Sequence, residues 1–347
     1  MGYELNKKIR DLKPYDPISG EYKIRLDANE SYLSLPDELR EKLAAKIHDT
    51  AFNRYPDPLA ADPCRAFADY YGVPENLVTA GNGSDELISV ILTAFLEKGD
   101  EIITLDPEFS MYRFYASLTE AKSTVIKKRE DLTIDVDELI ERAQTARMIL
   151  FSNPCNPTSL GLRREEVRRL VRSVPALVVL DEAYMDFWDQ SLLSEVAEYD
   201  NLMILRTCSK AIGMAAVRLG FAVANETLTN ALKAVKSPYN INTLTQGIGA
   251  AVLEQKELLS ECREKLVKSR QELLEALKLI EAENPGVMKV YESCTNFVFI
   301  RMESARKVFD GLLAAGIAVR FMGDYLRITA GSQEENAELL RELRKLL

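Results

Sequence analysis

Leu202-Met203-Ile204-Leu205-Arg206-Thr207-Cys208-Ser209-Lys210-Ala211-Ile212-Gly213-Met214-Ala215-Ala216-Val217-Arg218-Leu219-Gly220 reads as a short apolar strand running into a loop of small residues. The loop sets one lysine, Lys210, among residues too small to shield it, with Arg218 eight positions on. Packing offers such a lysine little. Covalent attachment of an aldehyde cofactor as a Schiff base, with Arg218 on that cofactor's phosphate, gives it a chemical reason. A solvated loop lysine is the alternative.

The same unit of apolar run followed by a polar loop recurs on both sides. Residues 148–150 run into Phe151-Ser152-Asn153-Pro154-Cys155-Asn156-Pro157-Thr158, and residues 176–180 into Asp181-Glu182-Ala183-Tyr184. Further strand-like runs lie at 101–105, 123–127 and 220–223, and helix patterns at 132–145 and 164–174. That alternation predicts an α/β fold around a mostly parallel, covered sheet. A long helical pattern at 243–281 leads into a C-terminal part with strands at 287–291, 296–301, 318–320 and 325–329 and a helix at 305–315. At 347 residues the chain exceeds what one core usually holds, so two lobes are expected.

Composition narrows the function. A net charge of −10 argues against a nucleic-acid partner, which wants a basic face. His48 is the only histidine, which nearly excludes a histidine-based zinc site, triad or proton relay, and no metal is expected. Cys64, Cys155, Cys208, Cys262 and Cys294 are odd in number and lack metal-ligand spacing, so reduced thiols are expected. No apolar run reaches membrane-spanning length, and Met-Gly-Tyr-Glu-Leu-Asn-Lys-Lys lacks a signal-peptide core; a cytoplasmic protein without membrane contact is the expectation.

Two more segments complete the pattern: Gly81-Asn82-Gly83-Ser84-Asp85-Glu86-Leu87, a glycine turn opening a helix, and Tyr325-Leu326-Arg327-Ile328-Thr329-Ala330-Gly331, an arginine inside a strand. With the three loops above they make five motifs in order. Together they resemble the fold-type I pyridoxal-phosphate enzymes of the class I and II aminotransferase group, and within it the histidinol-phosphate aminotransferases. The resemblance runs over residues 14–331. It implies a large domain with a mostly parallel seven-stranded sheet plus a smaller α/β domain. Residues 1–45 would form an N-terminal arm and part of the small domain, 46–250 the large cofactor-binding domain and 251–347 the C-terminal small domain.

The resemblance also implies roles. Lys210 would carry pyridoxal 5′-phosphate, and Asp181 would pair with its ring nitrogen; a structural acid or helix cap is the alternative for Asp181. Asn156 and Tyr184 would donate to the phenolic oxygen, although Asn-Pro is also a common turn. The backbone at Gly83, Ser84 and Asp85, with Ser209 and Arg218, would take the phosphate; a plain helix cap remains open for the first three. Phe109 would stack on the ring, with Tyr112 the second aromatic there and core packing its alternative. Tyr55 would reach the cofactor phosphate of a second subunit, which implies a homodimer with shared active sites. Arg327 would bind the substrate carboxylate and Arg320 the phosphate end of histidinol phosphate, unless Arg320 simply faces solvent. Tyr15 and Asn29 lie in further matching segments, as do Tyr239, Asn242 and Asn296, for which structural roles are expected. The substrates would be an amino acid or amino phosphate and a 2-oxo acid. The activity implied is histidinol-phosphate:2-oxoglutarate amino transfer or that of a related aromatic amino-acid aminotransferase; a threonine-phosphate decarboxylase is the alternative.

Three positions depart from the family pattern. Ser159 follows Asn-Pro-Thr where glycine is usual, and Ala216 replaces a frequent glycine; a positive φ at either would cost roughly 1 kcal/mol. Glu108, in Asp106-Pro107-Glu108-Phe109, is atypical and could alter the mouth of the pocket.

Overall fold

The computed structural model describes residues 2–14 and 18–347. Its strands, in chain order, are β1 (Ile24–Leu26), β2 (Val78–Gly81), β3 (Glu101–Asp106), β4 (Lys122–Lys127), β5 (Met148–Ser152), β6 (Leu177–Asp181), β7 (Leu202–Thr207), β8 (Gly220–Ala224), β9 (Met288–Val290), β10 (Phe297–Met302), β11 (Ile317–Met322) and β12 (Tyr325–Thr329). Seven of them make one sheet in the order β2-β8-β7-β6-β5-β3-β4. Only the pairings of β8 with its two neighbours are antiparallel. This is the mostly parallel seven-stranded sheet that the alternating runs and the resemblance imply.

Strands β5, β7 and β8 are buried at every residue, as unbroken aliphatic runs in a sheet covered on both faces must be. Two apolar clusters fill the layers. One places Ile103, Ile149, Val178 and Ile204 against Phe67 and Phe221; the other holds Ile102, Met148, Val179, Met203 and Leu205. Successive residues of each strand thus feed opposite layers. The register sets Ser152 beside Asp181 and Asp181 beside Leu205, so β5 and β6 end together and β7 runs two residues further. The polar loops behind those ends are therefore gathered at one edge, where open α/β sheets place ligands.

The second sheet runs β1-β11-β12-β10-β9. Strand β1 lies parallel to β11, with Ile24 opposite Ile317, so an N-terminal segment completes a sheet otherwise built from the C-terminal third. A separate core of Ile24, Leu277, Val298, Ile317 and Leu339 belongs to it.

The helix pattern at 243–281 resolves into two helices, Thr243–Leu253 and Lys256–Glu283. The break is a backbone event at Gln255 (φ −89°, ψ 59°), which apolar spacing does not register. The helix expected over 132–145 shrinks to Val136–Arg142, because the Asp135 side chain accepts from the amides of Asp137 and Glu138 and fixes a later start. No helix among the described residues is long and apolar enough to cross a membrane.

Candidate active site

Asp181 is the last residue of β6 and is buried. Tyr112 Oη donates to its Oδ2 at 2.7 Å and the Ala183 amide to its Oδ1 at 3.1 Å. Burial pushes the Asp181 carboxyl up to about 6, against the hydrogen bonds from Tyr112 and Ala183. Lys210 follows β7, and its Nζ donates to the Ala28 carbonyl at 2.9 Å and stands 5.8 Å from the Tyr184 ring centre. Burial first, then the Arg327 charge, brings its amine down to about 8. Burial thus moves an acid up and an amine down.

Around this pair the other loops converge. Tyr184 Oη accepts from Asn29 Nδ2 at 2.8 Å, and burial raises the phenol to about 12. Asn29 (φ 55°) is itself held by the Thr329 hydroxyl, which accepts from its amide at 3.0 Å, and by Asn296 Nδ2, which donates to its carbonyl at 3.1 Å. Arg327 reaches across from β12: Nη1 donates to Asn156 Oδ1 at 2.6 Å and Nη2 to the Asp27 carbonyl at 2.5 Å. Arg320 lies opposite Arg327 in the β11–β12 pairing and is half-buried. Both sheets contribute to one site.

A second focus lies where β2 turns into the helix Ser84–Phe95. Gly83 takes φ +82°, and a Cβ there would stand 2.6 Å from Arg218 Nη2. Gly220 at the start of β8 is equally constrained, since its Cβ would meet the Ser84 amide nitrogen at 2.5 Å. Arg218 Nη1 donates to Ser209 Oγ at 3.3 Å, and Nη2 lies 3.8 Å from Asp85. A helix N-terminus, a guanidinium and a hydroxyl thus meet where two glycines let backbones touch, which is chemistry suited to a phosphate. Phe109 is half-buried with its ring edge-on to Tyr112 at 5.4 Å.

Residues 21–343 match the model of the family "Aminotransferase class I and II". The chain belongs to the class I and II aminotransferase family. Curated relatives include the histidinol-phosphate aminotransferase of Clostridium novyi (strain NT), 41% identical over 343 residues that cover 97% of this chain and 95% of the relative. That of Clostridium kluyveri (strain ATCC 8527) is 39% identical over 350 residues, covering 99% and 98%. Among solved structures, histidinol-phosphate aminotransferase from Sinorhizobium meliloti, in complex with pyridoxal-5′-phosphate, superposes with a TM-score of 0.87 at 22% identity, covering 99% of this chain and 98% of that one. The fold is that of the fold-type I aminotransferases.

The remaining expected residues of this aminotransferase lie elsewhere or take other roles. Tyr55 is 81% exposed, its ring stacked on Tyr239 at 4.6 Å, away from the hydrogen bonds that join the cluster. Tyr15 lies outside the described residues. Ser159 does adopt a positive φ (64°), and its buried hydroxyl bonds Ser293 and Thr295. Ala216 does not; the residues of that loop with positive φ are Gly213 (φ 73°) and Arg218 (φ 55°). Tyr112 carries more than core packing, because its hydroxyl contacts Asp181. Glu108, Lys128 and Ser152 were missed altogether as a group. The one sequence signal was Glu108 at an atypical place, and its partners come from separate strands.

Proposed function

We propose that this aminotransferase is pyridoxal-phosphate dependent and transfers the amino group of histidinol phosphate to a 2-oxo acid, 2-oxoglutarate being the expected acceptor, in histidine biosynthesis. The observation that carries this is the pairing of a raised carboxyl, Asp181, with a lowered amine, Lys210, in one cleft beside the Gly83–Arg218 cradle. The residues fit the cofactor: a cationic ring nitrogen would add a charge to the two neutral donors, Tyr112 and Ala183, that the buried Asp181 carboxylate has, and the cradle suits its phosphate. When bound, the cofactor supplies a carbonyl for the substrate amine and a ring that takes up electrons from the substrate α-carbon.

The chain's own groups do the rest. Lys210 Nζ holds the cofactor and, once released, moves the proton at the substrate α-carbon. Its depressed basicity raises the neutral fraction near physiological pH far above that of an ordinary lysine. Asp181 keeps a proton on the ring nitrogen, and Tyr112 and Ala183 orient that carboxylate. Tyr184 and Asn156 address the ring oxygen; Phe109 covers a ring face; Ser209, Arg218 and the amides at Gly83, Ser84 and Asp85 bind phosphate. Arg327 takes the carboxylate of the 2-oxo acid and Arg320 the far phosphate of histidinol phosphate. Tyr15 and Asn29 complete the substrate side, with Asn29 acting by holding Tyr184.

The working form is a cytoplasmic homodimer in which Tyr55 serves the partner's site. The domain limits are 46–250 for the large domain and 251–347 for the small one, to which residues 1–45 add β1. The test is an absorbance spectrum of the purified, cofactor-loaded protein during addition of histidinol phosphate without a keto acid. Conversion to the pyridoxamine form at low concentration supports the reading. Conversion only by phenylalanine or glutamate moves the substrate, and carbon dioxide release from threonine phosphate would replace the activity.

A further inference from the structure

Beneath the loops at the ends of β3 and β5 lies a polar cluster that the scheme above does not use. Lys128 and Glu108 have side chains 1% and 2% exposed, with Nζ 3.6 Å from Oε2. A buried ion pair is weak evidence for stability, because desolvation can cancel its attraction. What marks this one is what its carboxylate holds. Glu108 Oε1 accepts from the Ser152 hydroxyl, from the Phe109 amide at 3.1 Å and from the Cys155 thiol at 3.5 Å. Ser152 Oγ, its proton directed at Glu108, accepts the Asn156 amide at 3.0 Å. Lys128 Nζ also donates to Cys155 Sγ at 2.7 Å. Burial lowers the Lys128 amine, but Cys155 and Glu108 outweigh it and leave it raised.

One carboxylate therefore anchors the backbone of residue 109 directly and that of residue 156 through a single hydroxyl. These residues sit on different loops, and the proposed function puts both against the cofactor ring. We propose that Glu108, paired with Lys128, is a positioning residue that sets Phe109 and Asn156 in place for amino transfer. The inference rests on that functional reading. The titratable groups facing Glu108 are Lys128 and Cys155 in contact, with Tyr112 and Asp181 also within reach of its charge.

The experiment compares wild type, Lys128→Met, Glu108→Ala and the double variant Glu108→Gln/Lys128→Met. It measures kcat and KM of the cofactor-loaded enzymes, and melting temperature of the cofactor-free chains. Lys128→Met leaves a buried carboxylate without its cation and is expected to lose roughly tenfold in kcat, with KM for the 2-oxo acid little changed. The double variant keeps an uncharged acceptor for the Ser152 hydroxyl and the Phe109 amide and recovers kcat. Activity that falls only in step with the melting temperature across the variants would mean a structural pair only and overturn the proposal. If Lys128→Met does not fold, the double variant decides. Activity within about threefold of wild type supports the proposal, and activity as low as that of Glu108→Ala overturns it. A wild-type chain that transfers no amino group at all would sink the proposed function instead, while the melting profiles of the cofactor-free chains still judge the Lys128–Glu108 relation.

Discussion

At the floor of the cleft the Lys210 amine sits at about 8 and the Asp181 carboxyl at about 6, both moved chiefly by burial. For Asp181 the folded value lies above the ordinary 3.8, so its contribution to stability is present at low pH and is lost as pH rises through about 6. The full swing is of order 3 kcal/mol. Asp181→Asn should therefore flatten the rise and fall of melting temperature between acid and neutral pH in the cofactor-free chain; an unchanged profile would refute the burial argument. For Lys210 the neutral amine is the form that attacks a carbonyl. The rate at which the cofactor-free chain takes up pyridoxal phosphate should climb with pH and level off above about 8, as followed by absorbance. Lys210→Ala should abolish the covalent absorbance band together with turnover.

At the scale of loops and strands, Ser159 poses a contest of two terms. Its positive φ costs roughly 1 kcal/mol, which Ser159→Gly would relieve. The same change removes the Ser159 hydroxyl's bonds to the buried hydroxyls of Ser293 and Thr295, which keep the Phe297 carbonyl as a partner, at roughly 0.5–1.5 kcal/mol each. The second term is the larger, so Ser159→Gly should lower stability by about 1 kcal/mol in chemical denaturation, glycine's suitability for that turn notwithstanding. Gly220→Ala drives a methyl into the Ser84 amide and should weaken phosphate binding, read as pyridoxal-phosphate affinity, more than it lowers the melting temperature. The strands that bear the site were legible because a parallel sheet covered on both faces writes itself as unbroken aliphatic runs, such as 202–205. Lys210, Asp181, Asn156 and Arg218 were legible because each follows such a run in a loop whose composition packing does not explain. Helix limits at Asp135 and Gln255 were not, since one capping side chain or one dihedral decides them. The Lys128–Glu108–Ser152 cluster was illegible for a different reason. Its members stand at the ends of three strands, and only the sheet's register brings them together.

Over the whole molecule, the segment with Phe52 (74% exposed) and Tyr55 (81% exposed) presents aromatic surface that a lone chain leaves in water. Sedimentation equilibrium should find a dimer. If Tyr55 serves the partner's site, mixing Tyr55→Ala with Lys210→Ala subunits should restore activity to about a quarter of wild type, because half of the dimers are hybrids with one intact site each. Activity no higher than that of Tyr55→Ala alone would place Tyr55 outside the site.

The pairing of β1 with β11 also orders events in time. A ribosome releases Ile24–Leu26 long before Ile317–Met322 exists, so the early strand must wait, its edge open, while the entire seven-stranded sheet is synthesised and can fold between the two. Asn29, three residues beyond β1, waits with it. The last piece of the site is thus delivered by nearly the first residues made, and a truncated chain ending before β11 would carry Lys210 and Asp181 yet leave Asn29 and Tyr184 without the framework that joins them.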